Sequence, residues 1–436
     1  MKTKTNKKNK IKVITLGCSK NIVDSEFLMA QMNAENHQLS TNLQNDDSNI
    51  IIINTCGFIK DAKQESIDTI LTYVKAKQAG KIDKLYVTGC LSERYKKELV
   101  NEIPEVDEYF GVNEYKSLLN TLNINNKHEL SGQRLLTTPT HYAYLKISEG
   151  CDRTCSFCAI PQIRGKHVSK SIDELLLETK ILAQQGVKEL LIIAQDTTYY
   201  GIDLYKKPNL SELLEKLSEI EGIEWIKLHY AYPTNFPEEV IGLIANNSKL
   251  CKYLDIPFQH INDRILKSMR RSHTKKDTIH LIEQFRSKIK DVAIRTSLIV
   301  GYPGETEKEF YELYNFVKES KFERLGVFKY SHEEGTPAYY LKDNISTRAK
   351  NERYNAIMKL QSGISLNHNL TFIDKEIKVI IDRAENNYFI GRSMHDSPEV
   401  DNEVVLEHNK ENNLIGKFVK AKITNVENYD IFGTII

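Results

Sequence analysis

Over the first 125 residues the apolar positions fall into three compact runs, Lys12–Leu16, Asn49–Ile53 and Lys84–Val87. Short runs of this kind, rich in Val, Ile and Leu, are expected of buried strands. A stretch of helical pattern follows each, at about 21–33, 60–79 and 92–103. Strand and helix in alternation predict a Rossmann-like parallel sheet with covering helices over 11–125. Asn123–Thr140 is polar and reads as a linker. From 141 to 370 the alternation repeats, with candidate strands at Ala143–Ile147, Glu189–Ala194, Glu224–Tyr230, Tyr253–Pro257, Val292–Val300 and Leu325–Tyr330. Helical stretches such as 171–185, 210–220, 274–290 and 307–320 separate them. Six such units are too few for a closed eightfold barrel and suit an open, partial (βα)6 barrel, its site at the C-terminal ends of the strands. From 372 to 436 the pattern changes to short strands, Lys375–Asp382, Asn387–Gly391, Glu403–Leu406, Lys417–Val426 and Asp430–Ile436, between Asn-rich turns. These predict a small antiparallel barrel of the OB-like kind used for binding. The class is α/β with three segments.

Composition narrows this picture. Lys+Arg 60 and Asp+Glu 59 leave a net charge of +1 over 436 residues, which excludes a chain-wide basic field for nucleic acid. The longest purely aliphatic run is Ile50–Ile53, far short of the ~20 apolar residues of a membrane helix. The start is basic (Lys2, Lys4, Lys7, Lys8, Lys10, Lys12) and leads straight into the first strand without an apolar leader, so a cytoplasmic chain is expected. The last segment stands apart: Asp374 to Ile436 holds 8 Lys+Arg against 12 Asp+Glu, a net −4. An RNA-binding barrel is expected to be basic; this one is expected to prefer a basic or a non-nucleic partner.

Seven cysteines are too few for a disulfide scaffold, and their number is odd. Cys151, Cys155 and Cys158 stand as C-x3-C-x2-C just after the first strand of the second segment. Three thiolates on one loop can hold three irons of a 4Fe–4S cluster and leave the fourth iron open to a small molecule. Zinc is the competing reading, but it wants a fourth Cys or His close by, and the nearest, His167, lies nine residues on. Cys18, Cys56 and Cys90 each follow a predicted strand, in VITLGC, IIINTCG and LYVTGC. Parallel strands place their C-terminal ends at one sheet edge, where these loops could converge, and the helix after each would favour a thiolate. Any one alone reads as a small residue in a tight turn; three in register predict a second cluster. Cys251 belongs to neither set and reads as a packed core thiol.

Other stretches now carry a resemblance: Leu16–Asn21 with Val23–Glu26, Asn54–Ile59, Ile147–Cys151, Ile160-Pro161 with Arg164-Gly165, and Ala194–Thr197. Tyr230–Thr234, Asp255–Pro257 with Gln259-His260, Ser268–Arg271, Glu333–Thr336, Gly391–Ser393 and Ser397–Asp401 extend it along nearly the whole chain. With the two cysteine trios, the sequence resembles the methylthiotransferase branch of the radical S-adenosylmethionine (SAM) superfamily, most closely its RimO-type, ribosomal-protein aspartate members. Ser19 stands where those members usually have proline, and Lys170 where they have arginine.

The resemblance implies two 4Fe–4S clusters and SAM as both radical source and methyl donor. The cluster at Cys151, Cys155 and Cys158 would chelate SAM and cleave it to methionine and a 5′-deoxyadenosyl radical. That radical would take hydrogen from the β-carbon of an aspartate in small-subunit ribosomal protein S-twelve. The Cys18, Cys56 and Cys90 cluster would deliver a methylated sulfur. An electron donor and a sulfur source are implied partners, and the last segment would be a TRAM barrel for substrate. An unactivated C–H bond offers no acid or base handle, so no catalytic constellation is expected beyond the cluster ligands. Gln195 and Asp196 would contact the SAM amino group, although Asp196 also reads as a helix N-cap. Gly301 and Gly304, in Val300–Glu305, would lie by the adenine or simply form a strand-to-helix turn. Asp396, Glu399 and Asp401 would hold the basic substrate. Tyr199-Tyr200 and Tyr339-Tyr340 read as a peptide channel or as packing, and His229 and His260 as structural groups. The basic run from Lys267 to Lys276 reads as a solvated face or as a contact to the acidic ribosome. A tRNA-adenosine methylthiotransferase and a non-enzymatic iron–sulfur scaffold are the alternatives; the acidic barrel speaks against tRNA as a direct substrate, and a scaffold has no need of SAM.

Overall fold

The computed structural model describes residues 10–35, 37–40, 47–124, 132–407 and 413–436. Lys2, Lys4, Lys7 and Lys8, and residues 125–131 of the expected linker, lie outside them. The chain divides into two compact units: Met1–Thr137, Glu149–Arg153 and Ala159–Val168 in the first, Thr138–Ser148, Thr154–Cys158 and Ser169–Ile436 in the second.

In the first unit β1 (Lys10–Thr15), β2 (Gln38–Ser40), β3 (Ile50–Thr55), β4 (Lys84–Gly89) and β5 (Glu108–Tyr109) form one parallel sheet in the order β2-β1-β3-β4-β5. The four consecutive isoleucines of β3 explain its central place. Strand side chains alternate between faces, so Ile51 and Ile53 pack with Ile70, Val74, Leu85 and Leu91 on one face. Ile50 and Ile52 pack with Ile11, Leu28, Met32 and Phe110 on the other. Burial of each contributes about 1.5–3 kcal/mol. The helices are α1 (Ser19–Ala34), α2 (Lys60–Gln78), α3 (Cys90–Glu102), α4 (Tyr115–Thr121) and α5 (Ile160–Arg164). β2, β5 and α4 are additions to the expected pattern; three, two and seven residues are too few for periodicity to register.

In the second unit six parallel strands lie side by side in chain order: Tyr142–Lys146, Glu189–Ile193, Trp225–Leu228, Leu250–Asp255, Ala293–Val300 and Arg324–Lys329. The first and last do not pair, so the sheet is open, as the strand count implied. A 24-residue helix, Thr347–Leu370, follows the last strand. Hydrophobic pattern gave no notice of it because its buried face is largely polar: Lys350, Ile357, Gln361, Ser365 and Asn369. Gln361 donates to the Phe322 carbonyl at 2.8 Å and Asn369 to that of Glu427 at 2.9 Å.

The last five strands, Glu376–Glu385, Tyr388–Arg392, Glu403–Glu407, Phe418–Val426 and Asp430–Ile435, close into a barrel. Four of its contacts are antiparallel; Glu403–Glu407 against Asp430–Ile435 is parallel. A closed ring with an odd number of strands cannot alternate direction all the way round, so one parallel pair is unavoidable. Val379, Ile381, Phe389, Val404, Leu406 and Ile423 fill the interior. Among the described residues no helix is long and apolar enough to cross a membrane.

Candidate functional site

The ends of β1, β3 and β4 are level: Thr15 pairs with Asn54, Asn54 with Thr88, and Thr55 with Gly89. Cys56 follows Thr55 directly, Cys90 follows Gly89 and opens α3, and Cys18 is the N-cap of α1. All three therefore leave the sheet at the same edge. Gly17 makes the close approach possible: at φ +88°, a Cβ on it would fall 2.6 Å from Cys56 Cβ and 2.8 Å from Cys56 Sγ.

Asn21 ties the three loops together. Its Nδ2 donates to the carbonyls of Leu16 at 2.8 Å and Thr55 at 3.1 Å, while its Oδ1 stands 3.7 Å from Cys90 Sγ. The same oxygen accepts from Arg164 Nη2 at 2.6 Å, and that nitrogen lies 3.6 Å from Cys90 Sγ. Ala159 and Ile163 of the α5 segment pack on Cys90. Cys18 is exposed, whereas Cys56 and Cys90 are buried. Burial pushes the Cys90 thiol up to about 12 against the opposing charge of Arg164, and burial raises Cys56 as well.

The three thiols of the C-x3-C-x2-C loop sit in two settings. Cys151 belongs to the first unit; its N–H donates to the Gly165 carbonyl at 3.1 Å, and its Sγ accepts from Arg153 N–H at 3.4 Å. Gly150 (φ +71°) allows this, since a Cβ there would fall 2.0 Å from the Lys166 carbonyl oxygen. Cys155 and Cys158 belong to the second unit, joined by a Cys158 N–H bond to the Cys155 carbonyl at 3.1 Å. Between them Ser156 is fixed by its N–H on the Met269 carbonyl, by its hydroxyl on the Ser268 carbonyl at 2.8 Å, and by Ala338 N–H on its own carbonyl at 2.7 Å. Arg271 donates to Cys155 Sγ at 3.6 Å and to the Pro257 carbonyl at 2.6 Å, and stacks over Tyr232 at 4.1 Å.

Among the described residues no three His, Cys, Asp or Glu side chains are grouped so as to hold a single metal ion. With Zn–S of about 2.3 Å, one tetrahedral ion needs its sulfurs within roughly 4 Å of one another; a cubane takes one thiolate per iron and spreads them wider. The upstream trio brings soft sulfur donors to one sheet edge beside a buried guanidinium, a donor set whose chemistry suits a cubane better than a single ion. Ser92 Oγ, two residues beyond Cys90 and wholly buried, has no hydrogen-bond partner among the described residues.

The other sequence candidates fall out as follows. Asp196 is buried and caps the short turn Thr197–Tyr199, accepting from Thr198 N–H at 3.0 Å and its hydroxyl at 2.6 Å; Gln195 is its half-buried neighbour. Gly301 N–H donates to Glu305 at 2.6 Å and Gly304 N–H to Asn344 at 2.9 Å. The buried Glu305 also accepts from His260 at 3.1 Å and Arg353 at 2.5 Å, so the turn is knit by its own acid. His260 is thereby a structural group, as is His229, between Asp255 at 3.6 Å and Ser397 at 3.2 Å. Tyr200 is buried on the Lys170 carbonyl, whereas Tyr340 is 82% exposed. In the run Lys267–Lys276, Arg271 is buried and Lys275 pairs with Glu312, leaving Lys267, Arg270 and Lys276 exposed. Cys251 is a core thiol beside Trp225 and Tyr253.

The barrel acids need a correction. Asp396 is wholly buried and bound by Arg324, and Asp401 accepts from Arg295 at 3.3 Å and Tyr253 at 2.8 Å. Burial alone would raise the Asp396 carboxyl; Arg324 reverses this and holds it below its usual value. Both arginines come from strands of the open sheet, so these carboxylates join barrel to sheet and offer nothing to a substrate. Asp382 is likewise taken by Arg392 at 2.7 Å and His141 at 2.7 Å. Of the three proposed contacts only Glu399 is exposed. The net −4 of the segment overstates its acidic face because the neighbouring sheet neutralises part of it. Asn21, Arg164 and Arg271 are the residues that the sequence did not single out for a role; each lay in a quoted stretch, and only distance to a sulfur reveals them.

Comparison with known proteins bears on all of this. The radical SAM superfamily matches residues 145–317, the uncharacterized protein family UPF0004 residues 10–111, and the TRAM domain residues 373–436. The chain is 55% identical over 433 residues to a protein of Christiangramia forsetii named ribosomal protein uS12 methylthiotransferase RimO, covering 99% of this chain and 96% of that one. Proteins of the same name from Cytophaga hutchinsonii (52% over 436 residues, all of both chains) and Flavobacterium johnsoniae (55% over 434 residues, 99% of both) are similarly close. Among solved structures, the radical SAM methyltransferase TsrM of Kitasatospora setae, with cobalamin and a [4Fe-4S] cluster bound, superposes with a TM-score of 0.54 at 12% identity, over 76% of this chain and 77% of that one. That likeness concerns the fold.

Proposed function

The chain belongs to the ribosomal protein uS12 methylthiotransferase family of radical SAM enzymes, and from that membership and the geometry above we propose that it methylthiolates the β-carbon of an aspartate in uS12, using two clusters. The carrying observation is the level edge of β1, β3 and β4, where Cys18, Cys56 and Cys90 leave the sheet together with Asn21 between their loops. This site draws its thiols from other segments than the C-x3-C-x2-C loop and has the donor set for a second 4Fe–4S cluster, which would deliver the methylated sulfur. When bound at Cys151, Cys155 and Cys158, a 4Fe–4S cluster supplies the electron that opens the SAM sulfonium.

The chain's own residues do the positioning. Gly150 lets Cys151 lie against the Gly165 carbonyl; Ser156 and Arg271 fix the Cys155–Cys158 turn. Gln195, Asp196, Gly301 and Gly304 stand at or just past the C-terminal ends of sheet strands, where a SAM contact is expected. Glu399 is the acid left to meet the basic substrate. An electron donor and a sulfur source complete the reaction, and the cytoplasm is its place.

The test is anaerobic incubation of the reconstituted protein with SAM, a strong reductant, sulfide and uS12, followed by mass spectrometry. The expected result is one methylthio group replacing hydrogen on a single aspartate. SAM cleavage with uS12 unmodified, or modification of tRNA instead, would overturn the reading.

A further inference from the structure

Arg164 is buried at 3% exposure, yet three anionic or sulfur groups surround it. Nη1 donates to Asp24 Oδ2 at 3.1 Å and Glu149 Oε1 at 2.9 Å; Nη2 donates to Asn21 Oδ1 at 2.6 Å and Cys90 Sγ at 3.6 Å. Both terminal nitrogens are thus aimed, and the planar guanidinium cannot rotate away from the sulfur without losing two carboxylates. Asn21 in turn cannot flip, because its Nδ2 is spent on the Leu16 and Thr55 carbonyls. In the bare protein the Cys90 thiol can donate to Asn21. Once iron has taken its proton the sulfur only accepts, and Arg164 is the donor within reach.

We propose that Arg164, aimed by Asn21, is a positioning residue for the upstream cluster: it donates a charge-assisted hydrogen bond to the Cys90 thiolate and thereby sets the cluster's reduction potential. The inference rests on the second-cluster reading. A positive charge and an N–H donor at a ligand sulfur stabilise the reduced, more negative cluster, so Arg164 raises the potential. The residue lies six positions beyond Cys158 in sequence, and the next carbonyl, that of Gly165, accepts from Cys151. One turn therefore touches a ligand of each trio.

The experiment uses the full chain carrying Cys151→Ala, Cys155→Ala and Cys158→Ala, so that only the upstream cluster can form, alone and with Arg164→Met or Arg164→Lys added. Iron content and an EPR-monitored redox titration are read on each. The background should hold about four irons. Arg164→Met should shift the midpoint to more negative potential, and Arg164→Lys, which keeps the charge but not the planar fork, should fall between. Should Arg164→Met fail to load iron, Arg164→Lys decides alone: a lowered midpoint supports the proposal and an unchanged one overturns it. Loaded variants with the background's midpoint and spectrum also overturn it. A background that binds no iron overturns the second-cluster reading, and this inference with it.

Discussion

The two thiol trios are built in opposite ways. Cys151, Cys155 and Cys158 ride on eight consecutive residues; Cys151 is seated on the Gly165 carbonyl, and Ser156 anchors the Cys155–Cys158 turn to the Met269 and Ser268 carbonyls. Cys18, Cys56 and Cys90 are scattered over 73 residues of sequence and meet only because three parallel strands end level. The first arrangement keeps its spacing through covalent connectivity. The second depends on the register of a sheet, on Gly17 having no side chain, and on Asn21 holding two carbonyls. A shared device links them: in each, a buried arginine donates to one sulfur, Arg164 to Cys90 and Arg271 to Cys155.

The largest effect should come from cutting one site and not the other. Cys155→Ala should abolish both SAM cleavage and modification. Cys56→Ala should abolish modification while 5′-deoxyadenosine formation continues; full-rate modification of uS12 by this variant would end the idea of two distinct roles. Next in size is a change remote from both trios. Asp396→Lys sets a cation against the buried Arg324 and should cost about 3–5 kcal/mol in urea unfolding of the second unit, with the upstream cluster's EPR signal intact. A variant as stable as the wild type would mean that the pair does not join barrel to sheet.

Asn21→Leu should cost roughly 1–3 kcal/mol, the penalty of leaving buried carbonyls without a donor. It should deplete iron at the upstream site alone, while SAM cleavage persists; loss of SAM cleavage would show that the trios are not independently built. Smaller still is a pH effect. Burial would raise Asp382, but the His141 hydrogen bond and the Arg392 charge bring it from 3.8 down to about 2. A depressed carboxyl stabilises the fold above its unfolded value, so this contribution should be present at pH 4 and above and be lost as pH falls towards 2. Asp382→Asn should flatten the stability profile in that window, and parallel profiles would remove the assignment. Glu399→Lys should be the mildest, within about 0.5 kcal/mol of wild type in stability, with slower capture of uS12 as its readout.

The same contrast explains what could be read from sequence. Strands with four aliphatic residues in a row, such as Ile50–Ile53, announced themselves, whereas the loop trio is read from its C-x3-C-x2-C spacing alone. The scattered trio was legible through a weaker signal, a cysteine just past each of three strands. The helix Thr347–Leu370 was invisible because polar residues fill its buried face. Asp396 and Asp401 misled because an acid in an acidic segment looks solvent-facing until its arginine, 72 or 106 residues away in sequence, is known. Arg164 lies 74 positions from the sulfur it touches, a pairing that no local pattern encodes.

Iron stoichiometry of the anaerobically reconstituted full chain tests the central claim most directly, read beside the Cys18/Cys56/Cys90→Ala and Cys151/Cys155/Cys158→Ala proteins. Two separate cubanes predict about eight irons per chain in the wild type and about four in each triple variant. A wild type that binds only about four, unchanged when the upstream cysteines are removed, would contradict the account.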